Sequence, residues 1–279
     1  MPFSKRNDYT ASKHGKISKG SRLDKYWRLN IAPVFKDYLA DSIQTNSNAD
    51  EYKICVKFGL RGIDYGNWTT QQERTTFLIG LDASLSQLSS ITSIKKSGLG
   101  LLGMCFGSRG VPNAAAHFEP DNMLINLSRL YGFGSLAHEY GHYLDYFFGT
   151  FIDQDKEERS LSGGASTSKI VKPEKQTGEL RYRMALIIER AIWRDKDNKE
   201  ITPMYKRISA SHNAGYYRRK TELFARVFEQ YVGHKTKLTN KILTKRKYEK
   251  DAYSDEEDIK AIIPLVDDLV KAMAKEAKK

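Results

Sequence analysis

Two histidines four residues apart, His138 and His142, lie in the run Gly134-Ser135-Leu136-Ala137-His138-Glu139-Tyr140-Gly141-His142-Tyr143-Leu144-Asp145. No other feature of the chain constrains its fold as much. On an α-helix, residues i and i+4 stand about 5 to 6 Å apart on one face, so a single helix presents both imidazoles to the same point. This is the HExxH pattern of zinc sites, in which imidazole nitrogens bind at about 2.0 to 2.1 Å. Glu139 is carried about 100° around the helix from His138, beside the metal, where a carboxylate can take a proton from zinc-bound water. Gly141 costs about 1 kcal/mol of helix propensity against alanine. Its presence predicts that something passes close to the backbone, as packing or as a substrate gap.

A zinc site that does chemistry needs a third protein ligand and one open position. Thr221-Glu222-Leu223-Phe224-Ala225-Arg226-Val227-Phe228-Glu229-Gln230-Tyr231 has apolar residues at 223, 224, 227, 228 and 231 and reads as a helix packed on one side. Glu222, at its start, is the chosen third ligand. Glu229, seven residues on and nearly on the same face, is not excluded by periodicity. Asp145 falls on the metal-binding side of the HExxH helix and is expected to accept a ring NH from a metal-bound histidine. His117, a lone histidine on a strand, is left out of the site.

Several further motifs accompany these in order: Phe58-Gly59-Leu60-Arg61-Gly62-Ile63, Gly66-Asn67-Trp68, Phe106-Gly107-Ser108-Arg109-Gly110 and Ile125-Asn126-Leu127. Together with Ser135–His142 and Glu222–Glu229, they make residues 50 to 235 resemble the large polyvalent-protein-associated, zincin-like domain of phages and conjugative elements. The HExxH helix and the later Glu-Leu-Phe-Ala helix are also similar to the catalytic domain of anthrax lethal factor, a gluzincin metallopeptidase, whose corresponding glutamate binds zinc and matches Glu222. A tyrosine shortly before that glutamate assists catalysis in lethal factor. Here Tyr216 and Tyr217 lie six and five residues before Glu222, and both are candidates. The resemblance implies an α+β zincin-like fold, with a small mixed sheet packed on the HExxH helix and on the second, glutamate-bearing helix. It also implies that an edge strand of the hairpin before the HExxH helix pairs with an extended peptide substrate.

Along the chain, Leu23 to Ile43 has helical apolar spacing interrupted at Pro33, and Tyr52 to Phe58 alternates as a strand closed by Gly59 and Gly62. Thr70 to Glu73 forms a capping box before a helix with Phe77, Leu78, Leu81, Leu85 and Leu88 on its face. Gly98 to Gly110 reads as a buried strand and turn, and Ala114 to Phe118 with Met123 to Leu127 as a hairpin around residues 119 to 122. Residues 151 to 176, rich in Ser, Gly and Thr between 160 and 168, read as a mobile loop. Leu180, Met184, Ile187, Ile188 and Ala191 mark another helix. The last runs from a cap at Ser254 to Glu257 through Ile259, Ile262, Ile263, Val266, Leu269, Val270 and Met273, kinked or restarted at Pro264 and docked in cis. The expected organisation is a basic arm over 1–22, a zincin-like domain over 23–235, and a basic linker with an amphipathic helix over 236–279.

Hydrophobic residues make up 40% of the 279, enough for a substantial core. No apolar run approaches the roughly 18 to 20 residues of a membrane span, and the N-terminus lacks the apolar core of a signal peptide. Cytosolic residence is therefore expected, in a bacterial host or packaged in a virion. Cys55 and Cys105 lack CxxC spacing and are expected to be reduced thiols. The net charge of +12 is concentrated in residues 1 to 30 and 235 to 250, each contributing +6. These segments suggest contact with DNA or another polyanion.

The sequence thus leads to a zinc-dependent peptidase with His138, His142 and Glu222 holding Zn2+. Glu139 serves as general base, and Tyr216 or Tyr217 stabilises the oxyanion on a protein or peptide substrate. The rival expectation is a non-catalytic zincin scaffold that binds DNA or a virion protein through its basic segments.

Overall fold

The structure is a computed structural model that describes residues 50–67, 69–109, 114–128, 132–153, 159–164, 178–195, 197, 199–244 and 252–279. The expected basic arm 1–22, the segment 23–43 and most of the loop 151–176 lie outside the described residues. The described residues divide into two compact units, one of 50–89, 95–136 and 240–243 and the other of 90–94, 137–239 and 244–279.

The first unit is mixed α and β. Its first element corrects the sequence reading: Glu51–Phe58, expected as a strand, is helix α1. Asp50 caps it by accepting from Lys53 N, and Gly59 ends it at φ +64°, a left-handed conformation that glycine adopts without strain. Of the alternating apolar residues only Ile54 and Phe58 are buried, four apart on one helical face, while Tyr52 and Val56 are exposed. Strand β1, Gly62–Tyr65, lies after Gly59 and begins on Gly62 instead of preceding both glycines.

Helix α2, Gln71–Thr92, starts at the expected capping box: Glu73 N donates to Thr70 Oγ1 at 3.2 Å and Thr70 N to Glu73 Oε2 at 2.8 Å. Strands β2 (Gly103–Phe106), β3 (Ala116–Glu119) and β4 (Leu124–Leu127) complete a four-stranded sheet of order β1-β2-β4-β3. The first two pairings are parallel, and the hairpin pair β3/β4 is antiparallel. Of the two hairpin strands, β3 is therefore the edge. Phe77, Leu81, Leu85 and Leu88 of α2 are fully buried, and the Phe77 ring stacks on Phe106 of β2 at 4.6 Å. Cys105 lies buried in β2 and both cysteines are free. Burial pushes the Cys105 thiol up to about 12 and the Cys55 thiol up to about 11.

The second unit is helical. Helix α3, Leu136–Phe147, carries the HExxH run and continues into a π-helical turn at Phe148–Asp153. It is followed by α4 (Glu179–Ile192), α5 (Pro203–Ala210), the single turn α6 (Ala214–Tyr217), α7 (Lys220–Thr236) and α8 (Glu256–Glu276). Helices α4, α7 and α8 pack against one another, with Ile259, Ile262, Val266, Leu269, Val270 and Met273 of α8 buried as expected of a helix docked in cis.

Helix α8 departs from expectation in two ways. It does not restart at Pro264 but continues through it as one helix, and Pro264 is exposed, so the carbonyl deprived of its N–H partner lies on the solvent side. Its N-cap is Asp255 and not Ser254, whose backbone NH is already donated to Gln230 Oε1. Of the stretch expected as a mobile loop, Ser160, Leu161 and Ser162 are buried and pinned, with Arg181 of α4 donating to the Ser160 carbonyl at 2.9 Å. No helix among the described residues is long and apolar enough to cross a membrane.

Candidate metal centre

Helix α3 supplies His138, Glu139 and His142, and α7 supplies Glu222, Arg226 and Glu229. The two helices come this close because of Gly141. A Cβ at that position would stand 3.2 Å from Ala225 Cα and 3.3 Å from Phe228 Cβ. Of the two expectations for this glycine, close packing is the one observed.

Across this contact the side chains converge. His142 Nε2 lies 3.3 Å from Glu222 Oε1, and His138 Nε2 lies 3.6 Å from Glu222 Oε2. One atom from each of His138, His142 and Glu222 falls within 4.8 Å of the other two, the one such group of His, Cys, Asp and Glu among the described residues. Ligands bound tetrahedrally at about 2.0 to 2.1 Å are separated by about 3.4 Å. The two imidazole–carboxylate separations, each to a different Glu222 oxygen, bracket that value, and two imidazoles with one carboxylate are the donor types of a three-ligand zinc site.

The second face of His138 is also occupied. Its Nδ1 lies 3.5 Å from Glu229 Oε2, the same oxygen that accepts a 2.7 Å hydrogen bond from the Tyr253 hydroxyl. Glu222 and Glu229, two helical turns apart on one face of α7, therefore address opposite nitrogens of one ring. Arg226, one turn after Glu222, stands 3.5 Å from Glu222 Oε2, with its guanidinium between the rings of Tyr217 and Tyr253.

The charge balance is unusual for a protein interior. Glu139, Glu222 and Glu229 are all buried, at 6%, 5% and 1% exposure, and the Arg226 guanidinium stands beside Glu222. Buried carboxylates grouped in this way are stabilised by cationic neighbours, a role that protonated imidazoles or a divalent ion can fill. Burial would raise the Glu222 carboxyl, but hydrogen bonds from His138 and His142, and their charges, outweigh it and hold the group far below the usual carboxylate range. Burial likewise disfavours the His138 cation, yet hydrogen bonds to Glu222 and Glu229 and the charge of Glu139 push it up to about 10.

The remaining expected site residues are placed as follows. Tyr216, 44% exposed, lies beside Glu222: partial burial first, then the charge and hydrogen bond of that carboxylate, raise its hydroxyl above the ordinary tyrosine value. The Tyr217 ring instead faces Arg226 at 4.8 Å. Asp145 makes its side-chain hydrogen bonds to Ser162, from the backbone NH at 2.8 Å and the hydroxyl at 2.7 Å. Burial pushes its carboxyl up to about 6 despite those bonds and the nearby His142 and Arg181. The carboxylate that backs an imidazole is thus Glu229, while Asp145 fastens the 160–162 segment to α3.

Arg226 and Tyr253 were missed in the sequence. The i+4 spacing from Glu222 could have flagged Arg226, whereas nothing local marks Tyr253. In the basic segment expected to meet a polyanion, Lys235 pairs with Asp267 at 2.9 Å and Lys241 is buried, while Lys237 is exposed. Residues 245–251 lie outside the described residues.

No curated protein and no solved structure matches the chain, so the likeness to anthrax lethal factor is not shown. The likeness to polyvalent-protein domains has direct support over part of the chain. The supported stretch contains Tyr216, Glu222, Arg226, Glu229 and Tyr253, and does not include the HExxH helix. From within α5 to just past α8, residues 208–277 match the family model described as large polyvalent protein-associated domain 1.

Proposed function

We propose that this chain is a zinc-dependent metallopeptidase of the gluzincin kind, with a zincin-like catalytic fold, carried by a phage or mobile element and acting on protein or peptide substrates in the cytoplasm of a bacterial host. The observation that carries the reading is the convergence of His138, His142 and Glu222 beside the buried carboxylate of Glu139. Its origin in a mobile element rests on the polyvalent-domain match.

His138 Nε2, His142 Nε2 and a Glu222 oxygen would hold the ion. Zinc bound there supplies a Lewis acid for the peptide carbonyl and brings the pKa of its water to about 7. Glu139 accepts a proton from the attacking water and returns it to the leaving amine. The Tyr216 hydroxyl, which stays protonated at neutral pH beside Glu222, donates a hydrogen bond to the developing oxyanion. Arg226 offsets part of the carboxylate charge, leaving Glu222 ionised for its ligand role.

The test is zinc per purified chain together with cleavage of a mixed peptide library, compared with Glu139→Gln. One zinc per chain in both proteins, with cleavage about 10²- to 10⁴-fold slower in the variant, is the expected result. Bound zinc with equal cleavage in the two would remove Glu139 from the chemistry.

A further inference from the structure

The segment just before α8 is held onto α7 by hydrogen bonds whose geometry resembles a short ladder. Gln230 Nε2 donates to the Ser254 carbonyl at 2.9 Å, and Ser254 N donates back to Gln230 Oε1 at 3.0 Å. Arg207 Nη2 of α5 adds a third bond, to the Tyr253 carbonyl at 3.0 Å. The backbone immediately following the Tyr253 side chain is therefore fixed, and its hydroxyl is delivered to Glu229 Oε2 at 2.7 Å. Glu229, at 1% exposure, is too deeply buried to be explained by solvation. Its Oε2 in turn lies 3.5 Å from His138 Nδ1, the ring nitrogen turned away from Glu222.

We infer that Tyr253 and Glu229 form a positioning chain that fixes the His138 ring with its proton on Nδ1, leaving the Nε2 lone pair for the metal. This inference rests on the metal-site reading above and extends it to the segment preceding the C-terminal helix. The physical basis is that a carboxylate accepting the distal ring NH fixes both the tautomer and the orientation of a ligating histidine and raises its basicity. The tyrosine's bond to Oε2 restrains the plane of the Glu229 carboxylate against the ring. Its hydroxyl occupies one lone-pair direction and leaves the other for Nδ1–H. Glu229, weighed as a zinc ligand from sequence, acts in this scheme through His138. Neither residue is catalytic.

The experiment uses the full chain, stripped of metal and titrated with Zn2+ against a chromophoric chelator and with Co2+ by visible absorption. Tyr253→Phe and Glu229→Gln are expected to weaken zinc binding, Glu229→Gln by about 10- to 100-fold and Tyr253→Phe by about 10-fold. Both are expected to shift the cobalt ligand-field bands, with the circular dichroism of the metal-free protein unchanged. Should Glu229→Gln fail to fold, long-range ¹H–¹⁵N NMR of the zinc-loaded unmodified chain reads the tautomer directly, and a proton on Nε2 of His138 overturns the inference. Zinc affinity and cobalt bands unchanged in both variants, with His138→Ala abolishing binding, overturn the inference and leave the metal site standing. If the unmodified chain binds neither ion, the metal-site reading itself fails and the inference falls with it.

Discussion

Among the described residues, histidine and glutamate are grouped on β3 and at the α3–α7 contact, and the two groupings differ in what their carboxylates already hold. On edge strand β3, His117 Nε2 lies 3.2 Å from Glu119 Oε1, while Glu119 Oε2 accepts from Arg109 Nη1 at 2.9 Å and from Asn122 Nδ2 at 2.8 Å. Both oxygens are taken and the charge is met by a guanidinium. At the α3–α7 contact, both oxygens of Glu222 face the Nε2 atoms of two imidazoles, and Glu139 and Glu229 are buried on the same two helices. A balanced, hydrogen-bonded carboxylate on a strand is structural. A buried carboxylate facing two imidazoles, with three donors grouped closely enough for one ion, is suited to a divalent metal.

The comparison is broken most directly by metal affinity. Removing one of three protein ligands from a site whose binding energy is on the order of 10 to 16 kcal/mol should weaken zinc by roughly 10³-fold. His142→Ala and Glu222→Ala are expected to show that loss in chelator competition, and His117→Ala none. Equal losses at His117 and His142 would place the site elsewhere.

The pH dependence of metal-free stability sharpens the contrast. The folded pKa of His138 is raised to about 10 from 6.5, so its contribution is complete below about 6.5 and is lost as pH rises through about 10. The folded pKa of Glu222 is depressed, so its contribution is present above the unfolded value of about 4.5 and is lost as pH falls below it. Melts of metal-free protein should therefore show this cluster contributing most between about pH 4.5 and 6.5, and His138→Gln should flatten the alkaline limb. Zinc, which must displace the His138 proton, should bind more tightly as pH rises across the same alkaline range. A metal-free alkaline limb unchanged by His138→Gln would contradict the assignment.

The smallest effect concerns the glycine that brings α3 and α7 together. Gly141→Ala gains about 1 kcal/mol of helix propensity but sets a Cβ 3.2 Å from the Ala225 backbone. Overpacking of about 1 to 3 kcal/mol should outweigh that gain. A net loss of about 1 kcal/mol, or about 2 to 4 °C in Tm, is expected. Gly215→Ala, with nothing within 4 Å of the added Cβ, is the control and should not destabilise. A stable Gly141→Ala with unchanged zinc affinity would mean that the α3–α7 spacing is looser than drawn.

Much of the fold was legible because its signals are periodic and long. The capping box at Thr70, the face of α2, the β3/β4 hairpin and the helices α3, α4, α7 and α8 all follow from apolar spacing and turn chemistry. The stretch Tyr52 to Phe58 was misread because seven residues cannot separate the two periods: Ile54 and Phe58 satisfy both i+2 alternation and i+4 spacing. Burial of those two alone, between an Asp50 cap and a left-handed Gly59, decided for helix. β1 was missed because four residues between glycines carry too little pattern.

The candidate site divides in the same way. By itself the sequence determined that His138 and His142 share one face of a helix with Glu139 beside them, because these relations follow from the 3.6-residue turn alone. It also marked Glu222 and Glu229 as same-face carboxylates on one later helix, without assigning them different tasks. Only the tertiary structure decided that Glu222 meets the Nε2 atoms while Glu229 meets Nδ1, that Asp145 turns to Ser162, and that Tyr253 closes the chain. Those choices depend on how closely α7 lies against α3 and at what rotation. That approach is set by the missing side chain of Gly141 against Ala225 and Phe228, a contact between segments more than eighty residues apart that local periodicity does not encode.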